Sequence, residues 1–371
     1  MGIETKALRP QAAAPFCVGG THIAGDGDNG RMTSSPNTHP YESLTPDVVL
    51  DALAALGLYG DGRLTALNSY ENRVYQVFMD DPKPYPAVVV KFYRPGRWSE
   101  AEILEEHAFA LELAEGEVPA VPPLLLNGAT LHHHAGFAFS VSPYRGGRGP
   151  ELDDFEVLEW VGRFLARIHA VGAKRPFVER PVLNLQTFGI ASRDWLLGNE
   201  KIPLDVQRDW EIACNDALDR IAATPLMAGV KTELRTLRLH GDVHPGNILW
   251  TPTDRPGGGP HFVDLDDART GFAVQDLWML LNGERAQRTA QLSGILDGYE
   301  QFREFDRREL ALIEPLRTLR LIHYSAWLAR RWEDPIFPIN FPWFGSSDYW
   351  KGQILVLQDQ CERMEEEPLY A

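Results

Sequence analysis

Residues 239–250 read LHGDVHPGNILW, and the polar side chains of His240, Asp242, His244 and Asn247 crowd the space before an apolar run. A carboxylate, two imidazoles and an amide in one short loop could hold a metal ion, act as a general base, or tie a turn together by hydrogen bonds. A second acidic stretch, FVDLDDA, follows and carries Asp264, Asp266 and Asp267.

The spacing favours one of these chemistries. Asp242 precedes Asn247 by five residues and Asp264 comes later. This resembles the kinase template, in which a loop Asp receives the hydroxyl proton while an Asn and a later Asp hold Mg²⁺. NILW and HFVDLDD, separated by TPTDRPGGGP, predict a two-stranded hairpin. Hairpin neighbours lie about 5 Å apart across the ladder, so Asn247 and Asp264 should meet at adjacent strand ends. Asp242, earlier on the loop, would be left to accept a proton. His240 and His244 read as hydrogen-bonding groups rather than metal ligands, because no acidic partners that would orient ligating imidazoles are evident. The run His132-His133-His134 reads as solvated.

Phosphoryl transfer also needs a cation on the nucleotide. Lys91 in VVVKFY stands at the end of an apolar strand, where the alternative is an ordinary edge lysine. The helix that follows carries Glu102, Glu105 and Glu106, and an ion pair to one of them would aim Lys91 at the α and β phosphates. Apolar residues surround that helix almost completely, so periodicity does not select the partner; Glu105 is favoured and Glu106 is second. No G-x-G-x-x-G loop is present. NSYEN can turn over the phosphates instead, using backbone N–H groups and the Ser69 hydroxyl, with Asn68 and Asn72 tolerating turn conformations. A plain hairpin turn is the competing reading.

The elements that must position these groups are legible in outline. Residues 1–40 are Gly- and Pro-rich without apolar periodicity and predict a disordered tail. TPDVVLDALAALGLYG predicts a helix capped by Thr45, with Pro46 at its first position. LTALNSYENRVYQVFM and YPAVVVKFYRP predict antiparallel strands, and SEAEILEEHAFALELAEG a helix with the capping box Ser99 to Glu102. VPPLLLNGATLHHHAGFAFSVSPY predicts strand, Asn127-Gly128 turn, strand, turn and strand. After RGGRGP the character is helical, with Leu158, Val161, Leu165 and Ile168 on one face, and further helices near 209–223, 227–238, 274–302 and 307–332.

The chain has 371 residues, 44% hydrophobic and 24% charged, which is a globular composition with room for two lobes. A net charge of -16 argues against binding a phosphate backbone, so no nucleic-acid partner is expected. Cys17, Cys214 and Cys361 form no CxxC pattern. No apolar run is long enough to span a bilayer and no secretory start is evident, so a cytoplasmic monomer without a membrane partner is expected.

At this point LARIHA, HGDVHPGN, FVDLDDA and AVQDLWMLL, in that order, resemble the landmarks of the aminoglycoside phosphotransferase and choline kinase superfamily. LNSYENRVYQV, VVKFYRPGRW, ILEEHAFALEL and RRWEDPIFPINFPW are similar to the bacterial stress response kinase A family of serine/threonine protein kinases. The resemblance implies an α+β, two-lobed protein-kinase-like fold: an antiparallel-sheet ATP-binding lobe with one helix over 41–143, and a mostly helical catalytic and substrate-binding lobe over 144–371. It implies that Asp242 is the proton acceptor, that Asn247 and Asp264 bind Mg²⁺, and that Ser69 lies against ATP. It also implies that Asp276 ties the next helix back to the catalytic loop. Gly241 stands where an Arg usually precedes the catalytic Asp, and only eleven residues separate Asp264 from Asp276, too few for a full activation segment.

The reading is an ATP- and Mg²⁺-dependent phosphotransferase acting on Ser or Thr of proteins. A small-molecule kinase for an amino alcohol, sugar or aminoglycoside shares the catalytic motifs, and a non-catalytic nucleotide-binding scaffold is the alternative of another class. Arg317, Arg320, Arg330 and Arg331, among Trp327, Trp332, Phe341, Trp343 and Trp350, could bind an acidic or phosphorylated substrate group or simply pack the lobe.

Overall fold

The computed structural model describes residues 39–224 and 234–371. Residues 1–38 of the expected tail, and 227–233 of the helix expected over 227–238, lie outside the described residues. The fold opens with α1 (Pro46–Ala54), where the Thr45 hydroxyl accepts the Val48 N–H and Pro46 occupies the first turn. There follow β1 (Gly60–Ala66), β2 (Arg73–Met79), β3 (Ala87–Phe92), α2 (Glu100–Glu115), β4 (His132–His134) and β5 (Phe137–Pro143). These strands make one antiparallel sheet in the order β1-β2-β3-β5-β4.

Alternation along β3 decides what faces what. Val88, Val90 and Phe92 are buried with Val49, Ala52 and Leu53 of α1, so Lys91 points to the other face of the sheet. On that side Tyr93 hydroxyl meets His107 of α2 at 2.7 Å and Ser140 of β5 at 3.1 Å, and the other His107 nitrogen meets Thr130 at 2.9 Å. Burial pushes the His107 imidazole down to about 3, so it is a neutral hydrogen-bonding link. It seats α2 across the sheet.

The strand expected before Asn127 does not form. Pro119, Pro122 and Pro123 remove backbone donors, and only Leu126 and Ala129 bridge, around Asn127 and Gly128 with φ of 49° and 82°.

The helical part holds α3 (Phe155–Gly172), α4 (Ala191–Gly198), α5 (Leu204–Ala223), α6 (Gln275–Trp278), α7 (Arg285–Tyr299), α8 (Ile313–Arg330), α9 (Ile336–Asn340) and α10 (Ser347–Arg363). Embedded among them are β6 (Leu237–Leu239), β7 (Ile248–Thr251), β8 (Gly259–Phe262) and β9 (Arg269–Gly271), paired as β6-β9 and β7-β8. The expected 248–262 hairpin is therefore present. The end of the helix expected over 227–238 is instead β6: all three of its residues are buried, and register with β9 satisfies their backbone.

One large core joins the faces of α3, α5, α7, α8 and α10. Leu158, Val161, Leu165 and Ile168 all point into it. Trp350 is fully buried against Trp210, with ring centroids 5.5 Å apart, so this part of the tryptophan-rich segment packs the interior. The Gly-rich joint after β5 is tied to β7, since Arg148 and Trp250 exchange two backbone hydrogen bonds of 3.1 and 2.7 Å. No helix among the described residues is long and apolar enough to cross a membrane.

Candidate active site

The loop from β6 to β7 is held by its backbone. Asp276 of α6, completely buried, accepts the His240 N–H at 3.0 Å and the Gly241 N–H at 2.8 Å. His169 of α3 donates to the same carboxylate at 3.1 Å and meets the Tyr299 hydroxyl with its other nitrogen at 2.9 Å. A buried carboxylate taking several such bonds fixes the loop's path strongly. Gly241 has φ 86°, and a Cβ there would lie 2.2 Å from the Asp267 carbonyl oxygen. That close approach excludes the Arg found here in other kinases.

This path leaves Asp242 half-buried. Its Oδ1 accepts from Arg320 of α8 at 2.6 Å. Asn247 donates its amide to the Asp242 carbonyl at 2.9 Å and, more loosely, to Oδ2 at 3.3 Å. With its nitrogen so engaged, the Asn247 side-chain oxygen is the atom left to meet a cation. His244 caps the Pro245–Asn247 turn by accepting the Gly246 N–H on Nδ1 at 3.0 Å, and its Nε2 lies 3.6 Å from Asp242 Oδ2. Burial lowers its pKa below the ordinary histidine value, against the pull of Asp242, so the imidazole is neutral. His240 turns inward instead, with Nε2 3.0 Å from the Val263 carbonyl.

Pairing of β7 with β8 places Asn247 and Asp264 as neighbours: the Asn247 carbonyl accepts the Val263 N–H at 3.1 Å. Asp264 adopts the left-handed conformation, φ 61° and ψ 66°, uncommon for a residue with a side chain, and its carboxylate is half exposed. Lys91 Nζ stands 3.1 Å from Asp264 Oδ1, 3.0 Å from Asp266 Oδ1 and 3.8 Å from Glu106 Oε1. Burial alone would push the Lys91 ammonium down, but Asp266, Glu106 and Asp264 outweigh it and hold it well above the usual lysine value. The Glu106 carboxyl is pushed up by burial, with Lys91 pulling the other way and Asp266 adding to the rise.

Glu105, the favoured partner of Lys91 in the sequence, is not that partner. Its carboxylate accepts the N–H groups of Val178, Glu179 and Arg180 at 2.7, 2.8 and 2.8 Å. The reason is helix phase: Ile103, Glu106, His107, Ala110 and Leu113 share the buried face of α2, and Glu105 sits about 100° away from Glu106. Glu105 braces α2 against the segment before α4. The i, i+3, i+7 relation of Ile103, Glu106 and Ala110 was the usable signal.

Ser69 lies half-buried in the 67–72 loop between β1 and β2. Asn68 and Asn72 do not supply left-handed turns there. Asn72 is almost fully buried and accepts the Arg94 N–H at 3.1 Å. Glu71 anchors the loop, a role the sequence reading missed. It takes the Trp327 indole N–H of α8 at 2.6 Å and pairs with Arg331, Arg94 and Arg97. Arg94 and Arg73 also pair with Asp334, and Arg97 with Asp266 and Asp267. Ionic groups from β2 and the loops beside it and β3 therefore interleave with those after α8 and after β8. Burial alone would raise the Asp266 carboxyl, but Arg97 and Lys91 hold it low.

The donor set near Asn247 and Asp264 suits a hard divalent cation, being all oxygen, one amide and one carboxylate. Among the described residues no group of three His, Cys, Asp or Glu converges into a metal cage. An ion here would be completed by phosphate oxygens and water, as Mg²⁺ commonly is.

The chain as a whole is similar to known proteins. Residues 63–313 match the model of the phosphotransferase enzyme family. The chain is 47% identical over 329 residues to stress response kinase A of Escherichia coli K12, covering 89% of this chain and 96% of that protein. It is 46% identical over 333 residues to serine/threonine protein kinase RdoA of Salmonella typhimurium, covering 90% and 97%. A similar solved structure is an amicoumacin kinase in complex with AMP-PNP, Ca²⁺ and Ami, with TM-score 0.64 and 20% identity over 87% of this chain and 94% of that one. Fold, family model and near relatives coincide: the chain belongs to the phosphotransferase enzyme family and, within it, to the stress response kinase A group, and is a kinase.

Proposed function

We propose that this kinase moves the γ-phosphate of ATP to a Ser or Thr hydroxyl of a protein, with Mg²⁺ as the metal. The observation that carries the reading is the meeting of Asp242, Asn247, Asp264 and Lys91, residues from β3, the β6–β7 loop and the end of β8. The nucleotide would lie between the sheet lobe, residues 41–143, and the helical lobe, residues 144–371. Lys91 would bind the α and β phosphates, positioned by Glu106, and the 67–72 loop with Ser69 would cover them. Asn247 and Asp264 would hold Mg²⁺, which neutralises phosphate charge when bound.

In the transfer step the acceptor oxygen attacks the γ-phosphorus and its proton passes to Asp242 Oδ2. The bond from the γ-phosphorus to the bridging oxygen breaks, and ADP leaves with that electron pair. The close relationship to proteins named stress response kinase A and serine/threonine protein kinase supports the protein acceptor.

Labelled ATP incubated with a generic basic protein and, separately, with a panel of amino alcohols, sugars and aminoglycosides tests it. Label is expected on protein Ser or Thr, only when Mg²⁺ is present. Label on a metabolite alone would replace the protein acceptor by a small molecule, and Mg-ATP binding without any transfer would make the chain a scaffold. Asp242→Ala should reduce transfer at least ~10²-fold while ATP still binds, the usual scale of general-base loss. Wild-type turnover in that variant overturns the assignment of the base.

A further inference from the structure

Arg320 stands 78 residues beyond Asp242 in the chain, yet its guanidinium is the charged group nearest the Asp242 carboxylate, 2.6 Å from Oδ1. His244 stands farther off, with its Nε2 3.6 Å from Oδ2. The remaining contact, the Asn247 amide, reaches Oδ2 at 3.3 Å, beyond the usual span of a good hydrogen bond. The carboxylate is thus gripped firmly on one oxygen and loosely on the other.

The group that grips it is itself immobilised. Arg320 belongs to α8, whose Trp327 indole bonds to Glu71 in the 67–72 loop at 2.6 Å and whose Ser325 hydroxyl meets Tyr349 of α10 at 2.8 Å. Thr318, two residues before Arg320, meets Gln360 of α10 at 3.1 Å. A helix held on both sides of Arg320 carries the guanidinium to a fixed point. A general base needs a fixed direction as well as a lone pair, since misplacement by about 1 Å can lose 10²-fold in rate.

We infer that Arg320 is a positioning residue of the phosphoryl transfer: it clamps Asp242 through Oδ1 so that Oδ2 faces the acceptor hydroxyl. The inference rests on the reading of Asp242 as the proton acceptor. It moves Arg320 from the substrate-binding role open to it in the sequence to the catalytic carboxylate itself. During transfer Oδ2 takes the hydroxyl proton and Oδ1 keeps its bond to Arg320, so the imposed geometry does not change.

The test compares wild type, Arg320→Ala, Arg320→Lys and Asp242→Asn in the labelled-ATP assay at saturating Mg²⁺, with thermal melting as a check on folding. Arg320→Ala is expected to lower kcat about 10- to 100-fold, with KM for ATP and for the protein acceptor within about threefold. Arg320→Lys should recover part of that loss, and added guanidinium chloride at millimolar concentration should restore part of the Arg320→Ala activity, which a merely structural defect would not allow. An unchanged kcat in a folded Arg320→Ala protein, or a rise in acceptor KM alone, overturns the positioning role. If the Ala variant does not fold, Arg320→Lys carries the test, and a kcat at the wild-type level with a raised acceptor KM overturns it equally. Full activity of Asp242→Asn would bring down the reading of the base and this inference with it, whereas an inactive Asp242→Asn beside a fully active Arg320→Ala removes the inference alone.

Discussion

The loop that carries Asp242 and the loop that carries Ser69 are held by different physics. The β6–β7 loop with Asp242 is anchored from beneath, its backbone N–H groups bound by the fully buried Asp276, which His169 supports in turn. The 67–72 loop with Ser69 is anchored by side chains, through Glu71 and the guanidinium groups of Arg94, Arg97 and Arg331. A buried carboxylate with satisfied hydrogen bonds gives a rigid loop and is expensive to disturb. An ionic cluster joining two parts of the molecule holds its loop only while those parts stay together. On the proposed reading, the general base sits on the first kind of support and the nucleotide cover on the second.

The largest effect should come from breaking the buried support. Asp276→Ala leaves two backbone N–H groups and His169 without their acceptor, and should destabilise the protein by about 3–5 kcal/mol, read by denaturant unfolding. A loss below about 1 kcal/mol would mean the β6–β7 loop is held in some other way.

The same region should carry a pH signature. Glu309 is buried beside it and accepts the Val274 N–H at 2.8 Å. Burial raises its carboxyl to about 7 from the ordinary 4.5, against the pull of that bond. The folded form thus favours the proton, so the stability Glu309 contributes is complete below pH 4.5 and is lost as pH rises through 7. Melting curves from pH 5 to 8 should show this decline, by at most about 3 kcal/mol, and Glu309→Gln should flatten it. An identical decline in the variant would assign it to other groups.

Breaking the second kind of support should touch binding more than folding. Glu71→Gln keeps the bond to the Trp327 indole but removes the charge facing three arginines. KM for ATP should rise about 3- to 10-fold while kcat stays within about threefold, on the order of 1 kcal/mol. A fall in kcat with KM unchanged would erase the distinction between the two loops.

The smallest and sharpest comparison is between neighbours on α2. Glu106→Gln should weaken ATP binding through Lys91 with little change in melting. Glu105→Gln should lower the melting temperature by a few degrees through the segment at 178–180, on the order of 1 kcal/mol, and leave KM for ATP alone. The reverse outcome would restore Glu105 as the partner of Lys91.

Much of this was legible before any coordinates because it depended on local spacing. Asp242 and Asn247 are five residues apart and Asp264 is on the returning strand of a hairpin announced by TPTDRPGGGP, so a single turn brings them together. Ser99 and Glu102, Thr45 and Pro46 marked helix starts through bonds made within one turn. The strand expected before Asn127 does not form because its apolar run contains Pro122 and Pro123, which cannot donate to a ladder. The end of the helix expected over 227–238 failed because pairing with β9, some thirty residues on, overrode local preference.

The sequence by itself singled out Asp242, Asn247 and Asp264 as side chains that could carry phosphoryl transfer, because they lie within a turn or a hairpin of one another. Only the tertiary structure decided that Glu106 and not Glu105 reaches Lys91, that Glu71 ties the 67–72 loop to α8, and that Arg320 meets Asp242. Each of these depends on the rotation of a helix or on contacts up to 256 residues apart. Such contacts are set by how whole elements pack, and packing is a property of the assembled core that no short window of sequence contains.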